Sequence, residues 1–301
     1  MMGNKKALVL GSLVADSLSL GVHWIYDTAK IEKEFGRVEG FLKPPPGSYH
    51  STKDKGEFTH YGDQALVLLE SVASKGSFDL QDFSSRWQAL FRDYRGYYDQ
   101  ATKATLANLA QGKPLKETGS TSSELAGASR IAPLVALYKD DPEALSNAAV
   151  AQTQMTHNNP LVILGAEFFA RVSREVLRGQ PPAAAMKEIA EKRFEDTPIS
   201  HWVQEGIDSR DEESVTTIGR FGQSCHVDEA FPGIVHLISR YENDLKEALV
   251  QCVMSGGDSA GRGMIVGMVL AAHLGERSLP QEWVASLKKK EMILKLLSAI
   301  P

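Results

Sequence analysis

Apolar residues recur along most of the chain with the three- and four-residue spacing of amphipathic helices. In the segment DLQDFSSRWQALFRDY, the apolar positions Leu80, Phe83, Trp87, Leu90 and Tyr94 form one stripe, which predicts a helix with a single buried face. Convincing alternation of apolar and polar residues, the pattern of a half-buried strand, does not occur. The pattern therefore predicts an all-α fold of about ten to a dozen helices with little or no sheet.

Two of these helices have clear start signals. Asp141 precedes Pro142, and Asn159 precedes Pro160. A short polar side chain can cap the free N–H groups of the first turn, and proline fits that turn because its missing N–H would have no partner there. We expect helices to begin at both prolines.

The run MIVGMVLAAHL near the end of the chain is apolar on every face. A helix of this kind must be surrounded by others, so it should lie at the centre of the fold. Gly263, Gly267 and Ala271 recur every four residues and form a smooth strip. Such a strip indicates close helix packing and no chemistry.

Two segments lack a regular pattern. Residues 41–62 contain a proline triplet and scattered charges, and residues 196–224 are polar with short helical patches. Long irregular segments inside a compact domain are usually lids or binding loops. Neither resembles a flexible linker, and no internal repeat is present, so residues 1–301 are interpreted as a single domain.

Composition and charge narrow the class of partner. Hydrophobic residues make up 43% and charged residues 24% of the chain, and the formal net charge is −5. This is an ordinary globular composition without a basic face, which argues against nucleic acid as the main partner. A ligand the size of a nucleotide remains compatible with it.

The compartment is predicted from the cysteines and the N-terminus. Cys225 and Cys252 have no metal-finger or redox spacing and are expected to be reduced. The N-terminal segment NKKALVLGSLVADSLSLG is interrupted by Asp16, which favours a core helix over a signal peptide. No stretch approaches the roughly 20 apolar residues of a membrane span, so we expect a cytoplasmic protein without a membrane partner.

Two aspartates lie in the same local sequence pattern. Asp63, in HYGDQALVLLESV, and Asp258, in SGGDSAGRGM, each follow glycine and precede an apolar helix. Either acid alone is adequately explained as a helix cap near the positive end of the helix dipole. Two such helix starts that converge would form an anion- or ion-binding pocket.

Three further positions are open to structural or functional interpretation. His157, in QMTHNNP, is either a satisfied group at a helix start or a ligand. The segment HWIYD, residues 23–27, is either a half-buried aromatic corner or a stacking platform for a base or sugar. Arg130, in ASRIAP, could bind phosphate or form an internal ion pair.

No generic catalytic motif is present: the chain lacks a nucleophile elbow, a P-loop, a dinucleotide fingerprint, a zinc-protease helix and the kinase set. Taken in order, however, six blocks resemble the ADP-ribosylglycohydrolase superfamily, and within it the J1-crystallin and selenoprotein J branch. The blocks are LGSLVADSLSLGVHWIYD, FTHYGDQALVLLESV, GASRIAP, TQMTHNNP, GQSCHVDEAFPGIVHLI and MSGGDSAGRGMIVGMVLAAHLG.

The resemblance implies a single-domain orthogonal multi-helix bundle. In catalytic members it also implies a two-magnesium site that hydrolyses the N- or O-glycosidic bond between ADP-ribose and an acceptor. Carried over to this chain, the catalytic residues would be Asp63 and Asp258, and the metal ligands Asp63, Asp258 and Ser259. The residues expected to bind substrate are His23, Trp24, Tyr26, Gln64, Arg130 and His157.

The chain also departs from the family pattern. The family block Thr-Asp-Asp-Thr corresponds here to the residues from Tyr61 to Gln64, and Gly-Gly-Asp-Thr-Asp-Thr corresponds to those from Gly256 to Gly261. One carboxylate survives in each block. The usual acid after the first helix is replaced near His23, and the Asn-Gly segment before the arginine reads Leu-Ala.

Two outcomes are open for the metal. Two aspartates and the Ser259 hydroxyl could hold one Mg²⁺ that keeps several waters, but not a bridged pair of ions. Alternatively Arg262, four residues after Asp258 and on the same helix face, could pair with Asp258 and occupy the place of a cation. Either one Mg²⁺ at most, or no metal, is therefore expected.

Two classes of function follow. The first is a hydrolase acting on a glycosidic bond of an ADP-ribose-like or nucleoside-like substrate, whether a small molecule or an ADP-ribosylated partner. The second is a non-catalytic ligand-binding or structural, crystallin-like protein on the same fold, which the lost carboxylates favour. A hydrolase for a different glycosidic substrate is a variant of the first.

Overall fold

The computed structural model describes residues 2–300, and these residues form α-helices joined by loops and short 3₁₀ turns. The α-helices are α1 Met2–Ser19, α2 Thr28–Phe35, α3 His60–Lys75, α4 Leu80–Arg92, α5 Gln100–Ala110, α6 Ala126–Ser129, α7 Ala132–Leu137, α8 Pro142–Thr156, α9 Pro160–Leu177, α10 Pro182–Arg193, α11 Pro198–Asp208, α12 Ser214–Phe221, α13 Val227–Arg240, α14 Leu245–Met254, α15 Ser259–Leu274, α16 Gln281–Ser286 and α17 Lys290–Ala299. No strand occurs within this range, apart from isolated bridges. The predicted all-α fold is confirmed, with more helices than expected.

The predicted helix starts are also confirmed. Asp141 accepts a hydrogen bond from the backbone N–H of Ala144 at the start of α8. Asn159 accepts from the N–H groups of Leu161 and Val162 at the start of α9. These contacts are local in the sequence, which is why cap chemistry predicts them.

The apolar helix α15 lies at the centre of the fold, as its pattern predicts. Its residues from Ser259 to Ala272 are all buried, and α1 packs along it. The two helices meet at glycines, because a Cβ on Gly267 would lie 2.3 Å from the carbonyl oxygen of Gly11. The small-residue strip is therefore a packing surface. None of the described helices is both long and apolar enough to cross a membrane.

Of the two segments predicted to be irregular, one contains no helix and the other contains two. Residues 41–59 contain no helix and connect α2 to α3. Residues 196–224, in contrast, contain α11 and α12. On α11 the apolar residues Ile199, Trp202 and Val203 are buried, and the many polar residues on its outer face hide this short stripe in the sequence.

Candidate functional site

A glycine turn positions Asp258 at the start of α15. Gly256 and Gly257 have positive φ angles of 67° and 62°. The N–H of Trp24 donates to the carbonyl of Gly257 at 2.9 Å, and the N–H of Gly257 donates to that of Ile25 at 2.8 Å. A Cβ on Gly257 would lie 2.1 Å from the carbonyl oxygen of Gln223, so both the conformation and the close approach require glycine.

Asp258 is completely buried and only partly satisfied. One oxygen, Oδ1, accepts from the N–H of Gly261 at 3.4 Å and lies 3.6 Å from His23 Nε2. The other, Oδ2, has no hydrogen-bond partner in the described part of the chain. Burial raises the pKa of Asp258 to about 6, although the positive charge of Arg262 opposes the rise.

His23 lies beside Asp258 as a neutral imidazole. Burial, followed by the nearby His50, His60 and Arg262, holds the pKa of His23 well below its usual value. Its Nδ1 accepts a weak hydrogen bond from the N–H of Ala260 at 3.4 Å. With Nδ1 accepting, Nε2 carries the proton, and Nε2 lies 3.6 Å from Asp258 Oδ1 without a hydrogen-bond partner among the described residues.

Arg262 does not form the ion pair with Asp258 that its spacing allows. Its guanidinium donates instead to the backbone carbonyls of Gln223 and Gly256, and no ion pair between Arg262 and Asp258 occurs among the described residues. Of the two alternatives left open by the sequence, direct pairing of Arg262 with Asp258 therefore does not occur. Arg262 stabilises the glycine turn, because its donors satisfy carbonyls on both sides of it.

At the other predicted half of the site, α3 begins earlier than the Gly-Asp pattern indicates. Thr59 is its N-cap and accepts from the N–H of Tyr61 at 3.1 Å. The hydroxyl and N–H of Thr59 both donate to the buried carboxylate of Asp16, at 2.5 and 2.8 Å. Burial raises the pKa of Asp16 to about 7. Asp63 is thus the fourth residue of α3 and not its cap.

This register decides which side chains of α3 face Asp258. Residues two apart on a helix point about 200° apart, so Tyr61 and Asp63 face opposite directions. Tyr61 packs against His60 and His23 at ring distances of 4.1 and 5.7 Å. It is buried, and its hydroxyl has no partner among the described residues.

Asp63 lies in a separate, lysine-lined cavity of about 340 Å³. Its Oδ2 accepts from Lys53 at 2.5 Å and from the Tyr94 hydroxyl at 2.8 Å, and its Oδ1 lies 3.5 Å from Lys289. None of these residues contacts Asp258. The structure therefore does not bring Asp63 and Asp258 together as a catalytic pair.

The predicted magnesium ligands are separated for the same reason. Ser259 directly follows Asp258, and its hydroxyl is buried without a partner in the part of the chain described. Asp63, the third predicted ligand, is held by two lysines on the far side of α3. The three do not form one coordination site.

Gln64 and Arg130, predicted to bind substrate, are occupied internally. Gln64 Oε1 accepts from Trp87 at 2.7 Å and from Arg130 at 3.1 Å. Arg130 also donates to Gln152 and to the Thr156 hydroxyl, and burial lowers its pKa to about 10. These hydrogen bonds connect α3 to α8. Because both side chains are buried and their polar atoms already have protein partners, they are not available to bind a phosphate.

Three aromatic side chains, Trp24, Tyr49 and Tyr97, pack together beside His23, next to Asp258, and we call them the aromatic cover. The Trp24 ring stacks on His23 at 4.4 Å, and Tyr49 and Tyr97 each lie 5.0 Å from it. Trp24 has a φ of 65°, which is unusual for a residue other than glycine. Tyr26, the expected stacking partner, is 49% exposed and makes no described ring contact with Trp24.

His157 belongs to a third group of polar side chains. His157, Asp99 and Glu124 each offer a ligand atom, and these atoms all lie within 4.8 Å of one another. This acid–histidine trio is the single such group among the described residues that could hold a metal ion. His60 contacts Asp99 at 3.1 Å. Burial raises the pKa of Asp99, but the His60 hydrogen bond and the His60 and His157 charges outweigh it and hold the value well below the usual range.

Several of these residues were missed at the level of sequence. Tyr49, Glu124 and the neighbouring pair Tyr97 and Asp99 lie in three loops far apart along the chain. Asp99 carries one local signal, because it caps α5 through the N–H of Thr102. The others carry none, since their proximity depends on tertiary packing.

The chain is similar to known proteins over nearly its whole length. The chain is 26% identical to crystallin J1A of Tripedalia cystophora, over 96% of this chain and 93% of that protein. It is 23% identical to the ADP-ribosyl-[dinitrogen reductase] glycohydrolase of Rhodospirillum rubrum, over 93% and 89%. A solved structure of an ADP-ribosylglycohydrolase-related protein complex has the same fold, with a TM-score of 0.78, 23% identity and coverage of 99% of this chain and 97% of that one.

The sequence profile of the ADP-ribosylglycohydrolase family matches residues 5–300. This is nearly the whole chain, and it agrees with the ordered blocks noted in the sequence. The resemblance on which the site was predicted is confirmed. The chain belongs to the ADP-ribosylglycohydrolase family.

Proposed function

We propose that this protein is a hydrolase that cleaves an N- or O-glycosidic bond of an ADP-ribose-like or nucleoside-like substrate, with Asp258 as the general base. Membership of a family that includes glycohydrolases supports the reaction class. The observation that carries the proposal is the state of Asp258, a buried carboxylate with one oxygen free of protein partners among the described residues.

A general base works best when its pKa lies near the working pH. Burial raises the pKa of Asp258 to about 6, so the carboxylate is largely ionised at neutral pH and still basic. It would take a proton from water on Oδ2 while the water oxygen attacks the anomeric carbon and the glycosidic bond breaks. The leaving group would depart with the bonding electron pair and take the proton from Asp258, which restores the carboxylate. Neutral His23, whose Nε2 lies 3.6 Å from Oδ1, would pack beside the carboxylate and limit its movement.

The residues of this site do not fit the two-magnesium centre implied by the family. When the threonine of the family block is matched to the cap Thr59, His60 and Tyr61 take the positions of the two aspartates. Magnesium requires oxygen ligands and several anionic charges for a bridged pair. One carboxylate and the Ser259 hydroxyl do not supply them, so we propose a reaction at Asp258 without a magnesium pair.

The aromatic cover would bind the substrate. Rings of Trp24, Tyr49 and Tyr97 can stack on a base or sugar face, and Tyr49 is 58% exposed. Asp258 itself is fully buried, so the cover must move for substrate to reach it. Tyr49 lies in the helix-free segment 41–59, which can move without breaking a helix.

One observation favours a second candidate, a non-catalytic ligand-binding or structural protein. Asp258 is closed off by the cover, and no second carboxylate of the described residues faces it. Relatives at 26% and 24% identity are crystallins by name. On this hypothesis the fold is retained for stability or ligand binding.

The test is release of ADP-ribose from ADP-ribosylated protein, nucleic acid and small-molecule acceptors, with and without Mg²⁺. We expect turnover by the unmodified protein and a loss of about 10²–10⁴-fold in Asp258→Asn, the range for removing a general base. Asp63→Asn is the matched control and should retain turnover. If no acceptor is cleaved under any condition, the ADP-ribosyl form of the proposal is wrong, and the non-catalytic candidate and a hydrolase for a different glycosidic substrate remain.

A further inference from the structure

We propose that Asp99, Glu124 and His157 form a binding site for one divalent first-row transition cation, of which Zn²⁺ is the probe. No residue of the trio makes a described hydrogen bond or ion pair with Asp258, although the charge of Glu124 acts on it. Its ability to bind a cation does not depend on the proposed hydrolase activity.

The backbone brings the three residues together from distant parts of the chain. The segment that carries Glu124 is fixed at one end to the end of α8, because the N–H of Ser120 donates to the carbonyl of Thr156 at 2.9 Å. At the other end the N–H of Leu125 donates to Cys225 at 2.8 Å. Asp99 is held by the start of α5, where it accepts from Thr102 at 2.6 Å.

Two of the ligand atoms are buried without partners. His157 is 2% exposed, and its Nε2 lies 3.8 Å from Glu124 Oε2. Neither atom has a hydrogen-bond partner among the described residues. Buried polar atoms without partners are costly, and a shared cation would satisfy both at once.

The distances suit a transition cation after a contraction of the site. Zinc bonds to histidine and carboxylate are about 2.0–2.2 Å long and tetrahedral, so two ligand atoms of one ion lie about 3.4 Å apart. The three ligand atoms of the trio lie within 4.8 Å of one another. His157 Nε2 and Glu124 Oε2 are 3.8 Å apart and need a few tenths of an ångström, and the Asp99 carboxylate must approach them by no more than about 1.4 Å.

The residues around the trio orient its ligands. His157 Nδ1 lies 3.0 Å from the Thr156 hydroxyl, which also accepts from Arg130. When Nδ1–H donates to that hydroxyl, the lone pair of Nε2 faces Glu124. His60 contacts the Asp99 carboxylate at 3.1 Å. Metal-binding histidines and carboxylates are characteristically held by such outer hydrogen bonds.

The ligand set decides the class of cation. Two carboxylates balance a charge of +2, and an imidazole nitrogen favours zinc, copper, iron or nickel over magnesium, which prefers oxygen ligands. The trio therefore differs in chemistry from a magnesium site.

The experiment is calorimetric titration of chelator-treated full-length protein with Zn²⁺ and, separately, with Mg²⁺. We expect one Zn²⁺ per chain and no saturable binding of Mg²⁺ at the same concentrations. In Glu124→Gln the affinity for Zn²⁺ should fall by more than about tenfold, since even outer-shell changes cost 10–100-fold. This substitution preserves the side-chain shape, and a thermal melt checks folding.

Glu205→Gln is the matched control, because Glu205 and His201 form an exposed carboxylate–histidine pair at 3.4 Å on α11. It should bind Zn²⁺ as the unmodified protein does. The proposal is overturned if the unmodified protein binds no Zn²⁺, if Glu124→Gln binds it unchanged, or if Mg²⁺ binds equally well. Because the readout is binding, it stands or falls separately from the hydrolase test.

Discussion

The starts of α15 and α3 carry the same Gly-Asp pattern and end in opposite environments. Asp258 at the start of α15 is buried, with one oxygen unpartnered among the described residues, whereas Asp63 in α3 is held by Lys53, Lys289 and Tyr94. A carboxylate held by two ammonium groups and a tyrosine hydroxyl is a structural group. The same Gly-Asp pair therefore precedes a buried helix with an unpaired acid in one place and lies within a helix as an ion-paired acid in the other.

The largest expected effect concerns the glycine turn that precedes Asp258. Gly257→Ala combines a left-handed backbone with a Cβ that would lie 2.1 Å from the Gln223 carbonyl. We expect a loss of about 4 kcal/mol in the free energy of unfolding, the sum of backbone strain and overpacking, measured by urea titration.

Gly76→Ala separates these two causes. Gly76 has a φ of 67°, and a Cβ added there would meet no described atom within 4 Å, so only the left-handed backbone should count, at about 1–2 kcal/mol. Equal losses in the two variants would show that the contact with Gln223 is unimportant and that the turn does not determine where Asp258 lies.

The next largest effect is on the free energy of unfolding, which two Asp→Asn substitutions should change in opposite directions. Asp63→Asn removes charge-assisted hydrogen bonds to Lys53 and should lower the free energy of unfolding at pH 7.5 by about 1.5–3 kcal/mol. Asp258→Asn removes a buried charge without a close partner and should raise it. Chemical unfolding at several pH values measures both.

The pH dependence follows from the pKa of Asp258. Because folding raises it from 3.8 to about 6, the fold favours the protonated acid, and this contribution is complete below about pH 4 and lost as pH rises through 6. The advantage of Asp258→Asn over the unmodified protein should thus grow by about 3 kcal/mol between pH 3 and 7.5. Asp16 also has a raised pKa, but it is present in both proteins, so its contribution cancels in the difference between them. A constant difference would contradict the raised pKa.

The smallest effect is on turnover. If Asp258 is the base, kcat/KM should fall about tenfold from pH 7 to pH 5, equivalent to about 1.4 kcal/mol, as the carboxylate is protonated. Asp63→Asn should show the same profile, because Asp63 lies outside the site. A flat profile over this range would remove Asp258 from the reaction.

Local features of the fold were predictable because their causes are local. The caps Asp141 and Asn159 act on N–H groups two or three residues away. The buried helix α15 was predicted from its uniform apolar composition, and Gly267 from its place in a four-residue repeat. Each of these depends on side chains within one or two helical turns.

The candidate site was predicted less well. Asp258 is in the place that its pattern indicates, but the start of α3 was misplaced by a few residues. Because a helix rotates about 100° per residue, that error exchanged Tyr61 for Asp63 as the side chain facing Asp258. Thr59, a good N-cap residue, indicated the correct start of α3. The prediction instead followed the glycine before Asp63, which indicated a later start.

By itself, the sequence determined the family, the all-α fold and the buried position of α15, since ordered motifs, periodicity and apolar composition are properties of short segments. Only the tertiary structure decided what each polar side chain meets. Lys53 and Lys289 reach Asp63 from two different loops, and Glu124 reaches His157 through backbone pairing of separate segments. The chemistry of a carboxylate depends on its burial and its neighbours, and those neighbours are far away along the chain.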